Sequence, residues 1–383
     1  MDLKEKLVSS FLAFENEVDV DAFVHDIRSE AIKTFEEKGF PTKKEEAWKY
    51  TSLNKVLKHN YSVFPQQDTT LEYRDIKKYF IHDIDSYKIV FVDGRYSSHL
   101  SQTTHEGMDI CLLSAAISKP KYRLVIENYF NKAATKDSLS ALNTAFSSEG
   151  AYIHIPKNKL VEKPIQIIHF STGNESALML QPRNLIITEE NSHVQIIERH
   201  QSLTENPVLT NSVTEIFANK RAIIDYYKVQ NDNNNASLID NTFVKQQQGS
   251  HCYVHTFAFG GKLIRNNLNF FQNGERIDST LKGVTIIGEG QHVDHNTLVH
   301  HQKPNCESHQ DYKGIFGDNT IGQIDENALF YLRTRGIPIK EAKALLMYAF
   351  SNNVLSSVKI PELKQRITKL IANKLGVNIG FNL

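Results

Sequence analysis

Apolar residues at Leu3, Leu7, Phe11 and Phe14, and again at Phe23, Ile27, Ala31 and Phe35, recur at helical intervals, which predicts two amphipathic helices between Leu3 and about Phe40. Gly39 followed by Pro41 ends the second. The stretch Lys43-Lys44-Glu45-Glu46-Ala47-Trp48-Lys49-Tyr50-Thr51 reads as a docked helical turn and holds the only tryptophan. From about Lys88, Ile89-Val90-Phe91-Val92 runs into Asp93-Gly94-Arg95, the pattern of a buried strand meeting a tight turn. The N-terminal region therefore reads as mixed helix and strand.

The pattern changes at about Gly150. From there to about Phe316, short runs such as Ile153-His154-Ile155, Ile165-Gln166-Ile167-Ile168, Leu185-Ile186-Ile187 and Val194-Gln195-Ile196-Ile197 follow one another at intervals of about ten residues. No helix-length pattern interrupts them, and turn-forming residues separate them, as at Asn231-Asp232-Asn233-Asn234-Asn235 and Gly288-Glu289-Gly290. A large sandwich or a parallel β-solenoid would account for this. A sandwich should show clean two-residue hairpin turns, and Asn273-Gly274 is the only candidate in the region, which favours the solenoid. Solenoid coils leave open ends, so helical caps are expected, and helical segments lie on both sides.

In the C-terminal part, Asp325 is placed to cap a helix carrying Leu329, Phe330 and Leu332, Gly336 stops it, and Pro338 sits where a first helical residue belongs. A second helix presents Ala342, Leu345, Leu346, Ala349 and Phe350 on one face, for covering the end of the solenoid, binding a partner, or both. Pro361 opens a third with Leu363, Ile367, Leu370 and Ile371. The fold class is thus mainly β, a solenoid flanked by helical regions. Its expected divisions are 1–149, 150–322 and 323–383.

Composition narrows the function classes. The 383 residues are 40% hydrophobic, enough for a sizeable core, and 44 basic residues balance 44 acidic ones. No net field draws nucleic acid or an anionic membrane, so neither is an expected partner. Cys111, Cys252 and Cys306 are odd in number and far apart, which suits neither a disulfide framework nor a Cys-x-x-Cys site and points to a reducing compartment. The first residues, Met-Asp-Leu-Lys-Glu, hold no apolar signal core, and no run approaches the roughly 18 apolar residues of a membrane span, so a cytoplasmic location is expected.

Enzyme signatures are weak. Gly260-Gly261-Lys262-Leu263 lacks the upstream glycine and the hydroxyl of a phosphate-binding loop, and Gly288-Glu289-Gly290 is too short for a dinucleotide fingerprint. There is no G-x-S-x-G elbow. The densest polar cluster is Gln291 to His295, followed by His300, His301, Asn305, Cys306 and His309. Within it His292, Asp294, His295 and Cys306 are candidate ligands for zinc or iron, with His292 and Asp294 on one face of a strand. The plainer reading is a set of hydrogen-bonded histidines at solenoid edges and a packed cysteine, because the spacing matches no standard zinc pattern. A third reading is a carbohydrate-active β-helix using a pair from Asp225, Asp240, Asp278 and Asp294, which calls for a secretion signal that the chain does not show.

The blocks Glu46-Ala47-Trp48-Lys49-Tyr50-Thr51, Leu142-Asn143-Thr144-Ala145-Phe146, Arg183-Asn184-Leu185-Ile186, Ser308 to Gly314, and Leu329-Phe330-Tyr331-Leu332-Arg333-Thr334-Arg335-Gly336-Ile337 resemble the SufB/SufD family of iron–sulfur cluster assembly proteins over nearly the whole chain. The tryptophan-lysine-tyrosine block looks like the SufD branch rather than SufB. The resemblance implies a right-handed parallel β-helix and a non-catalytic scaffold subunit that pairs with SufB and docks the ATPase SufC through its C-terminal helices. By position, Arg335, Gly336, Ile337, Lys340, Glu341, Lys343 and Ala344 form the implied docking surface. No intrinsic cofactor is implied, only an iron–sulfur cluster held transiently at the complex. A homodimer is expected when the chain is alone, since an exposed solenoid flank can pair with its own copy. The sequence departs from the family between Lys313-Gly314 and Gly322-Gln323, where several strands and a Cys-Ser-His-Gly stretch have no counterpart. The cluster-ligand role of that stretch is therefore not carried over.

Overall fold

The computed structural model describes residues 2–17, 22–65, 67–81, 84–103, 107–135, 137–147, 149–173, 176–316, 319–320 and 325–376. Its body is a parallel β-solenoid of about six turns. Strands alternate between two sheets. One sheet stacks Tyr87–Val92, Ile165–Ser171, His193–Ser202, Ile223–Asn231, His251–Gly260, Asp278–Ile287 and Glu307–Phe316 in that order, all in parallel. The other stacks Ala151–Ile155, Arg183–Thr188, Val208–Ala218, Ala236–Gln246, Leu263–Gln272 and His292–His301, likewise parallel. The candidate hairpin at Asn273-Gly274 is absent because the strands on either side of it lie in different sheets. The first sheet already includes Tyr87–Val92, which sits beside Ile165–Ser171.

The turns explain why the chain coils evenly. Asn191, Arg221, Gly249, Arg276 and Asn305 take φ of 58°, 56°, 68°, 55° and 58°, one left-handed residue at the same corner of successive coils. Neighbouring corners are bonded to each other, Arg221 Nε to Asn191 Oδ1 at 2.6 Å and Asn191 Nδ2 to Asn158 Oδ1 at 2.9 Å.

Before the last coil both sheets are covered on both faces, which is why their strands read as near-continuous apolar runs. In the lumen, Ile167, Ile196, Ile224, Val254 and Leu281 of one sheet meet Ile186, Ile216, Val244 and Leu268 of the other. On the outer face of the second sheet, Leu185, Val213, Phe217 and Phe243 pack on Val24, Leu113, Ile126 and Phe130. The helices Leu3–Glu17, Ala22–Lys38 and Ser138–Phe146 share a further core with Met179, Leu209, Ile239 and Leu263.

The three C-terminal helices are Glu326–Thr334, Ile339–Ser356 and Pro361–Leu375. Pro338 is the residue before the second helix rather than its first helical residue. The last two pack Val354, Leu355, Leu363, Ile367 and Ile371 on Tyr227, Val229, Phe257, Phe259, Val284 and Ile286, the outer face of the first sheet, not the end of the solenoid. That apolar flank continues to Ile315 on the last strand, which belongs to the same core. Among the described residues no helix is long and apolar enough to cross a membrane.

Candidate functional site

Three features stand out on this scaffold: an exposed corner between two C-terminal helices, an open end of the solenoid, and a polar lumen.

The corner begins at Asp325, whose Oδ1 accepts the backbone N–H groups of Asn327 at 2.9 Å and Ala328 at 3.2 Å and so starts the helix Glu326–Thr334. Gly336, at φ +85°, turns the chain out of that helix and into Ile339–Ser356. Phe330, Tyr331 and Ile339 are 70%, 57% and 47% exposed, a rare concentration of large apolar side chains in water. The Arg335 guanidinium lies 5.2 Å from the Tyr331 ring centre. Of the seven residues implied as a docking surface, Arg335, Gly336, Lys340 and Glu341 are exposed and Ile337 and Lys343 are half-buried. Ala344 is buried and faces the molecule's own interior. The sequence pattern did not separate Phe330 from the core-facing residues, because a helix with a partner-facing stripe has the same periodicity as one with a core-facing stripe.

The open end is formed by His292–His301 and Glu307–Phe316, whose residues other than Ile315 are exposed or half-buried where earlier strands are buried. His292–His301 is bonded to Leu263–Gln272 on one side, and among the described residues its other side carries no strand. Among the described residues the outer edge of Glu307–Phe316 pairs only with the two-residue antiparallel strand Asn319–Thr320, while its outer face meets the helix Ile339–Ser356, with Asn353 Nδ2 on Asp311 at 2.9 Å and Lys313 over the Phe350 ring.

The candidate metal ligands near this end are dispersed. His292 Nε2 lies 3.0 Å from Thr51 Oγ1, and Asp294 accepts from Thr51 and Arg265. Arg265 in turn donates to the Ala47 carbonyl at 2.7 Å and stacks 4.8 Å from the centre of the Trp48 ring. This pair therefore clamps the Glu46–Trp48 turn to the last coils. His295 faces the opposite way, into the lumen, where Nε2 meets Thr285 Oγ1 at 3.0 Å and burial holds its pKa down at about 4. Cys306 sits at a turn, its Sγ 3.1 Å from the Gly274 carbonyl. Alternation of strand faces accounts for the split between Asp294 and His295.

Beside its apolar half, the lumen has a polar half that the sequence did not reveal. Lys228 Nζ donates to Asp240 and Thr242, and Gln230 and Asn266 bond reciprocally at 2.7 and 3.0 Å. Asn266 extends to His295 at 3.4 Å. Further along the axis, His169, Glu198 and His200 come together, fully enclosed. The available signal was polar residues at alternate positions of an otherwise apolar strand, as in Val194, Ile196, Glu198, His200.

Comparison with known proteins agrees with this architecture. The family model for the SufBD protein N-terminal region matches residues 1–167, and that for the SUF-system FeS cluster assembly SufBD core domain matches 169–320 and 317–350. The two core segments overlap at 317–320, within the stretch expected from the sequence to lack several family strands. Similar proteins include a SufBD family protein of Synechocystis, 22% identical with 87% of each chain covered. The SufD proteins of Escherichia coli and Bacillus subtilis are 22% and 21% identical, covering 88% and 92% of this chain and 90% and 94% of their own. With both halves matched and this solenoid between helical ends, the chain belongs to the SufB/SufD family and to iron–sulfur cluster biogenesis.

Proposed function

We propose that this chain is a non-catalytic scaffold subunit that docks a SufC-type ATPase through the corner between its first two C-terminal helices and pairs with a SufB-type partner through the open end of the solenoid. The observation that carries the docking half is the exposure of Phe330, Tyr331 and Ile339 together, flanked by Arg335, Lys340 and Glu341. Apolar anchors ringed by charge are the usual core and rim of a protein interface. The free side of His292–His301 supports the pairing half, because an unpaired row of backbone donors and acceptors is a template for another strand. ATP-driven movement of the docked ATPase would act on helices packed along the first sheet and so bear on the whole solenoid. A cluster then belongs to the interface as cargo, not to this subunit as a resident group, and the working compartment is the cytoplasm.

Co-expression with the ATPase and the SufB-type subunit from the same source tests this. The chain should co-purify with both. Phe330→Asp combined with Ile339→Asp should release the ATPase alone, since both side chains are exposed and their loss leaves the fold intact. Retention of the ATPase by that variant would sink the docking assignment.

A further inference from the structure

We infer that the solenoid lumen contains a binding site for one divalent transition-metal ion of the zinc class, formed by His169 Nε2, His200 Nε2 and Glu198 Oε1. His169 follows Ile165 and Ile167 on the inward-facing row of its strand, and Glu198 and His200 follow Val194 and Ile196 on that of the adjacent strand. The parallel register places His169 beside His200. The ligating atoms of all three lie within 4.8 Å of one another, with Glu198 Oε1 3.7 Å from His169 Nε2 and 3.6 Å from His200 Nε2.

Three observations distinguish this cluster from ordinary buried polar packing. First, neither histidine is hydrogen-bonded to the carboxylate, and His169 Nε2 and both ring nitrogens of His200 are buried with no hydrogen-bond partner. A neutral imidazole carries one N–H, so His200 leaves a donor unpaired in the interior, which folded proteins rarely tolerate. Second, Glu198 is 2% exposed, and its bonded partners are neutral: Asn184 Nδ2 at 2.8 Å on Oε1 and the Tyr226 hydroxyl on Oε2. Lys228, a buried cation of the same lumen, is already paired with Asp240. A buried carboxylate needs a positive charge, and a cation between it and the two imidazoles would supply one. Third, the cluster has the supports of a metal site. Tyr226 and Asn184 fix the carboxylate, and His169 is stacked between Phe91 at 4.8 Å and His200 at 4.6 Å.

Two imidazoles and one carboxylate are a familiar zinc set, leaving a fourth position for water or another ligand. Zinc–nitrogen and zinc–oxygen bonds place tetrahedral ligand atoms ~3.3 Å apart. The Glu198-to-histidine distances are already close to that, and the histidine pair closes by tilting out of its parallel stack. The site is distinct from the His292 cluster.

The test is metal content of the full-length chain produced in medium supplemented with Zn2+ or with Co2+, read by elemental analysis and, for Co2+, by visible absorption. One equivalent per chain is expected, with the intense absorption of four- or five-coordinate cobalt and with nitrogen and oxygen but no sulfur ligands in X-ray absorption. Glu198→Gln and His169→Phe, the latter extending the Phe91 stack, should abolish it. Tyr226→Phe should weaken it about 10–100-fold. His301→Gln with His309→Gln, both on the surface, should leave it unchanged. A wild-type chain without metal, or with metal bound through sulfur or lost in the surface variant, overturns the inference. If the lumen variants fold poorly, the wild-type stoichiometry and ligand spectrum still decide it.

Discussion

Arg183 Nη2 and Glu215 Oε2 meet at 2.6 Å on adjacent coils with neither side chain exposed. Arg183 also donates to Asn143 Oδ1 at 3.2 Å, Thr144 Oγ1 at 2.9 Å and Asn131 Oδ1 at 3.1 Å. Glu215 accepts the backbone N–H groups of Asn131, Ala133 and Ala134. The pair thus fastens the helix Ser138–Phe146 and the loop before it onto the solenoid. The approach is close enough that a Cβ on Gly150 would lie 1.6 Å from the Arg183 carbonyl oxygen.

Replacing Arg183 by Met leaves Glu215 buried without a counterion. This should cost about 3–5 kcal/mol of stability, measured by denaturant unfolding. The double variant Arg183→Met with Glu215→Gln should recover part of the loss, because no uncompensated charge remains. A single-variant cost under about 1 kcal/mol would mean that the pair is not what holds the helix.

This network also shows what the sequence could and could not disclose. Asn143, Thr144, Arg183 and Asn184 belong to the blocks that carried the family resemblance, yet their role is internal fastening, not contact with a partner. The solenoid was legible because strand-length runs recur without hairpin turns, whereas the left-handed corner that repeats once per coil was not, since Arg221 and Arg276 at two of its positions carry no turn signal. The short helices Leu113–Ser118 and Arg123–Tyr129 were not, since each is too short to show a helical period. The polar lumen escaped because its members lie on different coils, brought together only by register. Phe330 and Tyr331 were legible as apolar helix positions, but the direction they face is set by how the helix docks.

The only tryptophan reports on the clamp at the last coils. Trp48 is buried beneath the Arg265 guanidinium, and Arg265 is held by Asp294 and the Ala47 carbonyl. Arg265→Ala should red-shift Trp48 emission and increase its quenching by acrylamide, and Thr51→Val should do so more weakly, as it loses the contacts to His292 and Asp294. Unchanged emission in both variants would show that the N-terminal turn is held elsewhere.

Acid should loosen the C-terminal helices through His255. This side chain bonds Ser357 Oγ at 2.9 Å and stacks on Tyr227, and burial lowers its pKa to about 4, against the opposing pull of Asp225 and with the help of Lys282 and Lys359. Because the folded pKa lies below the unfolded one, the unfolded chain binds the extra proton. Stability is therefore complete above about pH 6.5 and falls towards pH 4 by up to about 1.4 kcal/mol per pH unit for this group. His255→Gln, which keeps a hydrogen-bonding group but does not titrate there, should flatten the dependence of unfolding free energy on pH by that amount. An unaltered slope would assign the acid sensitivity to other residues.

The free edge of His292–His301 should mediate self-association when no partner is present. His292 donates its N–H to Lys262 at 3.1 Å and Gln302 donates to Gln272 at 3.2 Å, so even-numbered residues point their N–H groups at the neighbouring strand and odd-numbered ones point theirs outward. A proline at Val299 consequently removes an outward donor without breaking a bond of the existing ladder, the one position type at which a strand tolerates it. Leu298, 51% exposed on the outer face, adds an apolar contact that lysine would replace with charge. Light scattering of the isolated chain at micromolar concentration should show a dimer that Val299→Pro and Leu298→Lys each weaken and their combination abolishes. The melting temperature of the proline variant measured where it is monomeric should fall only modestly below that of monomeric wild type, since the lost donor faces solvent there and the cost is confined to the packing of Val299 on the luminal core. A dimer that survives both changes must use another surface, and the pairing half of the proposed function would then lose its physical basis.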